Sequence, residues 1–276
     1  MNQIIDRYGV IGYPVAHSRS PVIHRLFALQ TQQKLQYEPL AVTPDDLESA
    51  LTGFHRGGGK GLNVTVPHKS RIATLVDDMS DRAQVAGAVN TIVFSEDGMF
   101  GDNTDGFGLV RDLKSNLDIR LKDSRILILG AGGATRGILA PLLEEAPDSV
   151  TIANRTLDKA EALATHFGQF GPVSACRFDT VTTSQHFDLI LNATSAGLKG
   201  ETPPYPASAI GDTTVCYDLS YGLTPTPFSE WASRRGAARS IMGWGMLVEQ
   251  AAESFYIWRN VRPDTHPVLK QLSITA

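Results

Sequence analysis

The 276-residue chain has only two cysteines, Cys176 and Cys216, 40 positions apart. Neither has a second ligand at metal-binding spacing, so the sequence points to reduced, buried thiols and away from a disulfide scaffold or a zinc site. No metal-spaced pair occurs among His17, His24, His55, His68, His166, His186 and His266, and none of them is assigned a catalytic role. Basic blocks are also missing. With 25 Lys and Arg against 29 Asp and Glu, the net charge is −4, which argues against nucleic acid or an anionic membrane as partner. No apolar run approaches the length of a membrane span, and the first residues lack the basic-then-apolar pattern of a secretory leader. A cytoplasmic protein is expected. Repeats and low-complexity segments are absent as well. What is present, 42% hydrophobic and 20% charged residues, suits a globular chain of one large or two ordinary domains.

Strand-like and helix-like segments alternate. Strands are expected at 7–12, 37–42 and 61–66. Between them fall a helix at 21–33 with Ser20 as N-cap and another at 44–54, where Thr43 caps and Pro44 takes the first helical position. Residues 88–94 and 99–102 read as a hairpin around Glu96, Asp97 and Gly98. A helix at 106–117 follows, then strands at 188–193 and 214–219, and a helical stretch at 246–260 that stops near Pro263. Such alternation implies α/β architecture, with mainly parallel sheets covered on both faces.

Residues 125–137, RILILGAGGATRG, are an apolar strand breaking into a glycine-rich turn. That arrangement cradles a dinucleotide pyrophosphate: Gly130 permits the tight turn, Gly132 lets the backbone approach the phosphates, and the following helix offers free amides. Thr135 stands where the simplest pattern has a third glycine, and Pro141 predicts a kink or early distortion of the helix. A strand at 149–153 completes the strand–helix–strand unit, which favours a nucleotide cradle over a turn without ligand. The residue about 20 positions after the turn selects the cofactor, because an acid there binds a ribose hydroxyl and repels a 2′-phosphate. Here the chain reads Asn154, Arg155, Thr156, and the Arg155 fork suits that phosphate. The expected cofactor is NADP.

Polar side chains gather at other strand ends: Ser18 and Ser20, Asn63 and Thr65, Lys69, Asn90, and Asp105 at the apparent junction of the two halves. Singly each has a structural explanation as a cap, a turn brace, a solvated lysine or an ion pair. Together they form a series of motifs: HSRSP at 17–21, GLNVTVPHK at 61–69, AVNT at 88–91, GDNTDG at 101–106, GAGGATRG at 130–137, NRT at 154–156, NATSAG at 192–197 and GWGMLVEQAA at 243–252. Over nearly its full length the chain resembles the shikimate dehydrogenase family.

The resemblance implies an N-terminal open α/β substrate domain made of 1–104 and 243–276, with C-terminal helices returning to it, and an NADP-binding Rossmann domain at 105–242. It implies NADPH-dependent reduction of 3-dehydroshikimate to shikimate, on the route to chorismate and aromatic amino acids, in a pocket between the domains. Ser18, Ser20 and Tyr221 would meet the substrate carboxylate. Asn63, Thr65, Asn90, Asp105 and Gln250 would meet its hydroxyls. Lys69 would be the proton donor and Asp105 its partner. His68 should point the other way if the chain stays extended. Gly130, Ala131, Gly132, Gly133 and Ala134 would face the pyrophosphate, and Asn154, Arg155, Thr156 and Lys159 the 2′-phosphate. Thr194, Ser195, Leu219 and Gly243 would line the nicotinamide path. Two alternatives stay open here: an NAD-using quinate/shikimate dehydrogenase, which Arg155 and Thr156 disfavour, and a silent NADP-binding regulator, which retention of Lys69 and Asp105 disfavours. Oligomeric state is not legible, and a homodimer is left open.

Overall fold

The computed structural model describes residues 5–181, 186–194 and 205–274. Chain contacts divide it into two units: Met1–Gly108 with Leu247–Gln271, and Leu109–Met246 with Leu272–Ala276.

Unit 1 is built on a six-stranded sheet. In chain order it contains β1 (Asp6–Gly12), α1 (Ser20–Gln30), β2 (Leu35–Ala41), α2 (Leu47–Arg56), β3 (Gly59–Val64), α3 (Lys69–Ile72), β4 (Asp78–Met79), α4 (Asp81–Ala86), β5 (Thr91–Ser95) and β6 (Gly98–Asp102). Spatial order is β2-β1-β3-β5-β6-β4. The sheet is mainly parallel with one antiparallel insertion: β1 runs parallel to β2 and β3, and β4 to β6, while the expected hairpin of β5 and β6 enters antiparallel to β3. Ile11, Leu62, Val64 and Ile92 from the strands pack with Leu47, Leu51 and Ile72 from the helices. This continuous apolar face is the main stabilising term of the unit.

α5 (Asp105–Arg111) runs into a π-helical turn at Asp112–Asn116 and leads to unit 2. There the elements are β7 (Arg125–Leu129), α6 (Gly133–Glu144), β8 (Ser149–Asn154), α7 (Leu157–Phe167), β9 (Val173–Arg177), β10 (Leu189–Asn192), β11 (Val215–Asp218), α8 (Pro227–Arg234) and β12 (Arg239–Met242). All strand pairs are parallel, in the order β12-β11-β10-β7-β8-β9, a doubly wound sheet whose order reverses between β7 and β10. Leu127, Leu129, Ile190, Cys216 and Phe228 form its core. Both cysteines are free, and burial pushes the Cys216 thiol up to about 12.

α9 (Trp244–Arg259) and α10 (His266–Ile274) follow. α9 is fastened to the first sheet along its length. The Trp258 indole donates to Ile92 O at 3.0 Å, and Gly61 makes room for it, since a Cβ there would sit 2.3 Å from the indole nitrogen. Arg259 pairs with Asp6 and reaches Gln33, while Glu253 takes both Arg82 and Arg262. Arg82 also grips Asp102 through two bonds of 2.6 and 2.8 Å. Burial alone would raise the Asp102 carboxyl, but hydrogen bonds from Arg82 and Ser80 outweigh it and hold the group below its ordinary value.

Several local expectations are corrected. α2 begins at Leu47 with Asp46 as N-cap, and the Thr43 hydroxyl donates to the Asp46 carboxylate at 2.7 Å instead of capping a helix. α1 starts at Ser20 itself, and its amide donates to the Ser18 hydroxyl at 3.3 Å, so Ser18 supplies the local brace. The helix ends at Gln30, and Gln32 takes a left-handed φ of 55°. His68 is helical, not extended: it N-caps α3, lies buried, and its Nε2 meets Val42 O at 2.8 Å. α6 spans Gly133–Glu144 with Pro141 inside it.

Candidate functional site

In unit 1 the β3 strand is followed by Thr65, a turn through Pro67, and the short α3 that starts with Lys69. α5 starts with Asp105 just after β6. These two helix starts bring Lys69 Nζ to 2.6 Å from Asp105 Oδ2, with side-chain exposures of 19% and 6%. The amine is thus partly open to solvent while its partner is enclosed.

The other Asp105 oxygen accepts from Asn90 Nδ2 at 2.9 Å. Asn90 is held in one orientation. The Thr104 backbone N–H can only donate, and it lies 2.8 Å from Asn90 Oδ1, so the amide nitrogen must face Asp105. Gln250, from α9, brings its Oε1 to 3.4 Å from both Asn90 Nδ2 and Thr104 Oγ1. Lys69, Asp105, Asn90 and Gln250 therefore form one connected group. Asn63 lies behind it. Its Nδ2 donates to Ser254 at 2.9 Å and Thr91 at 3.2 Å, and its Oδ1 accepts from Tyr37 at 2.8 Å. Ser18 is half-buried and Ser20 buried at the start of α1, and Thr65 is half-buried. Tyr221 belongs to unit 2, where its ring leans on Trp244 with centroids 4.7 Å apart.

Sequence reasoning missed His24 beside this group. Its ring stacks on Tyr37 at 4.2 Å and is fully enclosed, and neither nitrogen has a hydrogen-bond partner among the described residues. Burial lowers it from 6.5 to about 3, outweighing the nearby Asn63, which favours the charged ring. It is therefore neutral at physiological pH. Thr91 and Ser254, both fully buried, were missed as well.

In unit 2 the glycine turn joins β7 to α6 at the place where the sheet order reverses. Gly130 has φ of +106°, and a Cβ there would lie 3.2 Å from the Ala193 carbonyl, so glycine is needed for both reasons. A Cβ on Gly132 would meet nothing within 4 Å. That open space lies beside Ala131, Gly133 and Ala134, ahead of the first helical bond from Arg136 N to Gly132 O. Thr135 explains its own departure from the glycine pattern: it is buried, and its hydroxyl donates to Gly130 O at 2.8 Å, pinning the turn. Asn154 Nδ2 donates to Thr156 O at 2.8 Å, bracing the turn after β8. Arg155, Thr156 and Lys159 are exposed, and the Arg155 guanidinium has no partner among the described residues. Open space at the turn, free helix amides and an unpaired guanidinium fit a dinucleotide carrying an extra phosphate.

At the end of β10, Asn192 Oδ1 accepts from Thr194 N at 3.2 Å and its Nδ2 donates to Asp218 at 3.0 Å. Asp218 also accepts from Thr226 and Ser220, yet burial raises its carboxyl above the ordinary value. Leu219 follows Asp218, and Gly243 sits so near that a Cβ would lie 2.6 Å from Leu219 O. Ser195 lies outside the described residues.

A doubly wound sheet with its glycine turn in one unit, and a lysine–carboxylate pair in a second α/β unit, define a two-unit dinucleotide-binding protein. Three family models match the chain: shikimate dehydrogenase substrate binding domain at 10–92, shikimate/quinate 5-dehydrogenase at 112–199, and shikimate 5′-dehydrogenase C-terminal domain at 243–272. The chain belongs to the shikimate dehydrogenase family. It is 54% identical to the NADP-dependent shikimate dehydrogenase of Methylococcus capsulatus, covering 97% of this chain and 96% of that protein. The corresponding enzyme of Alkalilimnicola ehrlichii is 52% identical, covering 97% and 98%. Among solved structures, shikimate 5-dehydrogenase of Thermus thermophilus in complex with NADP(H) and shikimate aligns with a TM-score of 0.87 at 32% identity, covering 99% and 100%.

Proposed function

We propose that this protein reversibly reduces 3-dehydroshikimate to shikimate with NADPH, as a cytoplasmic enzyme of aromatic amino-acid biosynthesis. Unit 1 is the substrate-binding domain and unit 2 the NADP-binding domain. The observation that carries the reading is the 2.6 Å pair of Lys69 and Asp105, joined to Asn90 and Gln250, in a chain that also has the Arg155 turn.

Bound NADPH supplies the hydride. As the ketone carbon gains it, negative charge builds on the oxygen, and Lys69 Nζ gives that oxygen a proton and regains one from solvent. In the oxidative direction the Lys69 amine takes the hydroxyl proton. Asp105 holds the amine and accepts from a neighbouring ring hydroxyl. Ser18, Ser20 and Tyr221 donate to the carboxylate, while Asn63, Thr65, Asn90 and Gln250 serve the hydroxyls. Arg155, aided by Asn154, Thr156 and Lys159, takes the 2′-phosphate. Gly130, Ala131, Gly132, Gly133 and Ala134 leave the pyrophosphate room. Thr194, Ser195, Leu219 and Gly243 line the nicotinamide path.

Steady-state assays with shikimate and quinate, each with NADP and NAD, test the reading. Turnover of shikimate with NADP above all other pairs is expected. Preference for quinate or NAD would give the NAD-using alternative, and no turnover with any pair would make the protein a binding regulator. Light scattering decides between monomer and homodimer.

A further inference from the structure

The hydroxyls of Thr91, on β5, and Ser254, on α9, lie 2.8 Å apart, and both residues are fully buried. Each hydroxyl has one proton to give. Ser254 gives its proton across the 2.8 Å contact to Thr91, sharing it with Gln250 O, four residues back in its own helix at 3.0 Å. Thr91 donates to Asn90 Oδ1 at 2.9 Å. Between them they accept from Asn63 Nδ2, which lies 2.9 Å from Ser254 and 3.2 Å from Thr91. One buried pair therefore ties the sheet to the helix that carries Gln250 and also bonds the Asn90 amide oxygen.

We infer that Thr91 and Ser254 are positioning residues for the reaction: their hydroxyls fix the Asn90 amide, and through it the Asp105 carboxylate that holds Lys69. The inference rests on the reading of Lys69 and Asp105 as the proton-handling pair. The force of it lies in direction. Asn90 Oδ1 has two short donors, Thr104 N at 2.8 Å and Thr91 Oγ1 at 2.9 Å, and its opposite edge is bonded to Asp105 Oδ1 at 2.9 Å. Removing the Thr91 donor frees one side of that amide, and the small displacement passes to a carboxylate whose other oxygen is 2.6 Å from the amine. Placement of a reacting group within a fraction of an ångström governs turnover more than affinity.

Hydroxyl and shape are separated by two variants at one position. Thr91→Val keeps the β-branched shape and loses the hydroxyl, whereas Thr91→Ser keeps the hydroxyl and loses the methyl. Turnover, the Michaelis constant for shikimate, NADP affinity and melting temperature are measured for both, with Ser254→Ala and the double variant alongside. Thr91→Val is expected to lower kcat about 10- to 100-fold, with a smaller change in the Michaelis constant and unchanged NADP affinity. Thr91→Ser should recover most of that loss even though its smaller side chain lowers the melting temperature. Ser254→Ala should add less in the double variant than alone, because both act on one amide. The reverse ranking, with valine active and serine impaired, would overturn the inference, as would losses that simply follow melting temperature. Lys69→Ala serves as the control: if it retains normal turnover the reading beneath fails, and if it is inactive while Thr91→Val is normal, only the positioning role fails.

Discussion

Asn90 gives its amide to Asp105 at 2.9 Å, and Asn192 gives its amide to Asp218 at 3.0 Å. In both cases a threonine backbone N–H, of Thr104 or Thr194, bonds the amide oxygen and so decides which way the nitrogen points. Each unit thus carries the same device at a strand terminus, just before β5 in one and at the end of β10 in the other: an asparagine locked by a threonine and turned toward a buried carboxylate. The two differ in what the carboxylate does next. Asp105 bonds a lysine amine, while among the described residues Asp218 bonds hydroxyl and amide donors and is raised by burial.

The Lys69 amine should carry the proton step. Lys69→Ala is expected to lower kcat by about 100- to 10,000-fold with a much smaller effect on shikimate affinity, because the group acts on charge that develops during reaction. Asp105→Asn should impair both, since it loosens the amine and a ring hydroxyl together. Turnover by initial rates and shikimate binding by calorimetry check the pair. Normal turnover with abolished binding in Lys69→Ala would make the lysine a binding residue.

Cofactor selection should reside at Arg155. Arg155→Asp should weaken NADP about 10- to 150-fold, the worth of a charge-assisted phosphate contact, and affect NAD far less. Michaelis constants for the two cofactors at fixed shikimate provide the comparison. Equal losses would assign Arg155 to the fold.

Ser18 braces the start of α1 by accepting the Ser20 amide, and among the described residues its hydroxyl proton has no acceptor, which suits a carboxylate ligand. Ser18→Ala is expected to raise the Michaelis constant for shikimate while NADP affinity stays unchanged. Parallel loss of NADP affinity, read by fluorescence titration, would remove Ser18 from the substrate side.

His24 should make the protein sensitive to acid. Its value falls from 6.5 when exposed to about 3 when folded, so between those limits the unfolded chain binds more protons and stability rises with pH. On acidification the folded state loses stability from about pH 6.5 downward. By pH 5 the loss is about 2 kcal/mol, at 1.36 kcal/mol per pH interval. In His24→Phe the denaturant midpoint should change less between pH 7 and pH 5 than in the wild type. An identical pH dependence in both would show that other groups govern acid unfolding.

The apolar strands and the glycine turn were legible because their signals are local: contiguous Ile and Leu for a buried strand, and glycine where φ must be positive. The motif residues were legible as a set. The edge strands β9 and β12 were not, since VSACR and RSIM lack the long apolar run of the central strands and gain strand geometry only from their neighbours. The start of α2 misled because Thr43 and Asp46 each suit a cap, and the Asp46 carboxylate captured the hydroxyl that would have capped. Ser254 and His24 look in sequence like ordinary helix residues. Their importance arises from partners 163 positions away at Thr91 and from rings supplied by β2 and α9, and no local pattern encodes such meetings.

On the ribosome, β1–β6 are made long before the helix that completes them. Asn63 waits 191 positions for the Ser254 hydroxyl, and Ile92 waits 166 for the Trp258 indole. At the usual pace of synthesis the longer interval is roughly 10 to 40 s. Throughout it, the bonds that Ser254 and Gln250 later make to Asn63, Thr91 and Thr104 must be made by water, whereas the strands of unit 2 emerge as one uninterrupted stretch between Leu109 and Met246. The nucleotide-binding half can therefore mature first during translation, and the substrate half is the one exposed to chaperones and proteases in a nascent chain.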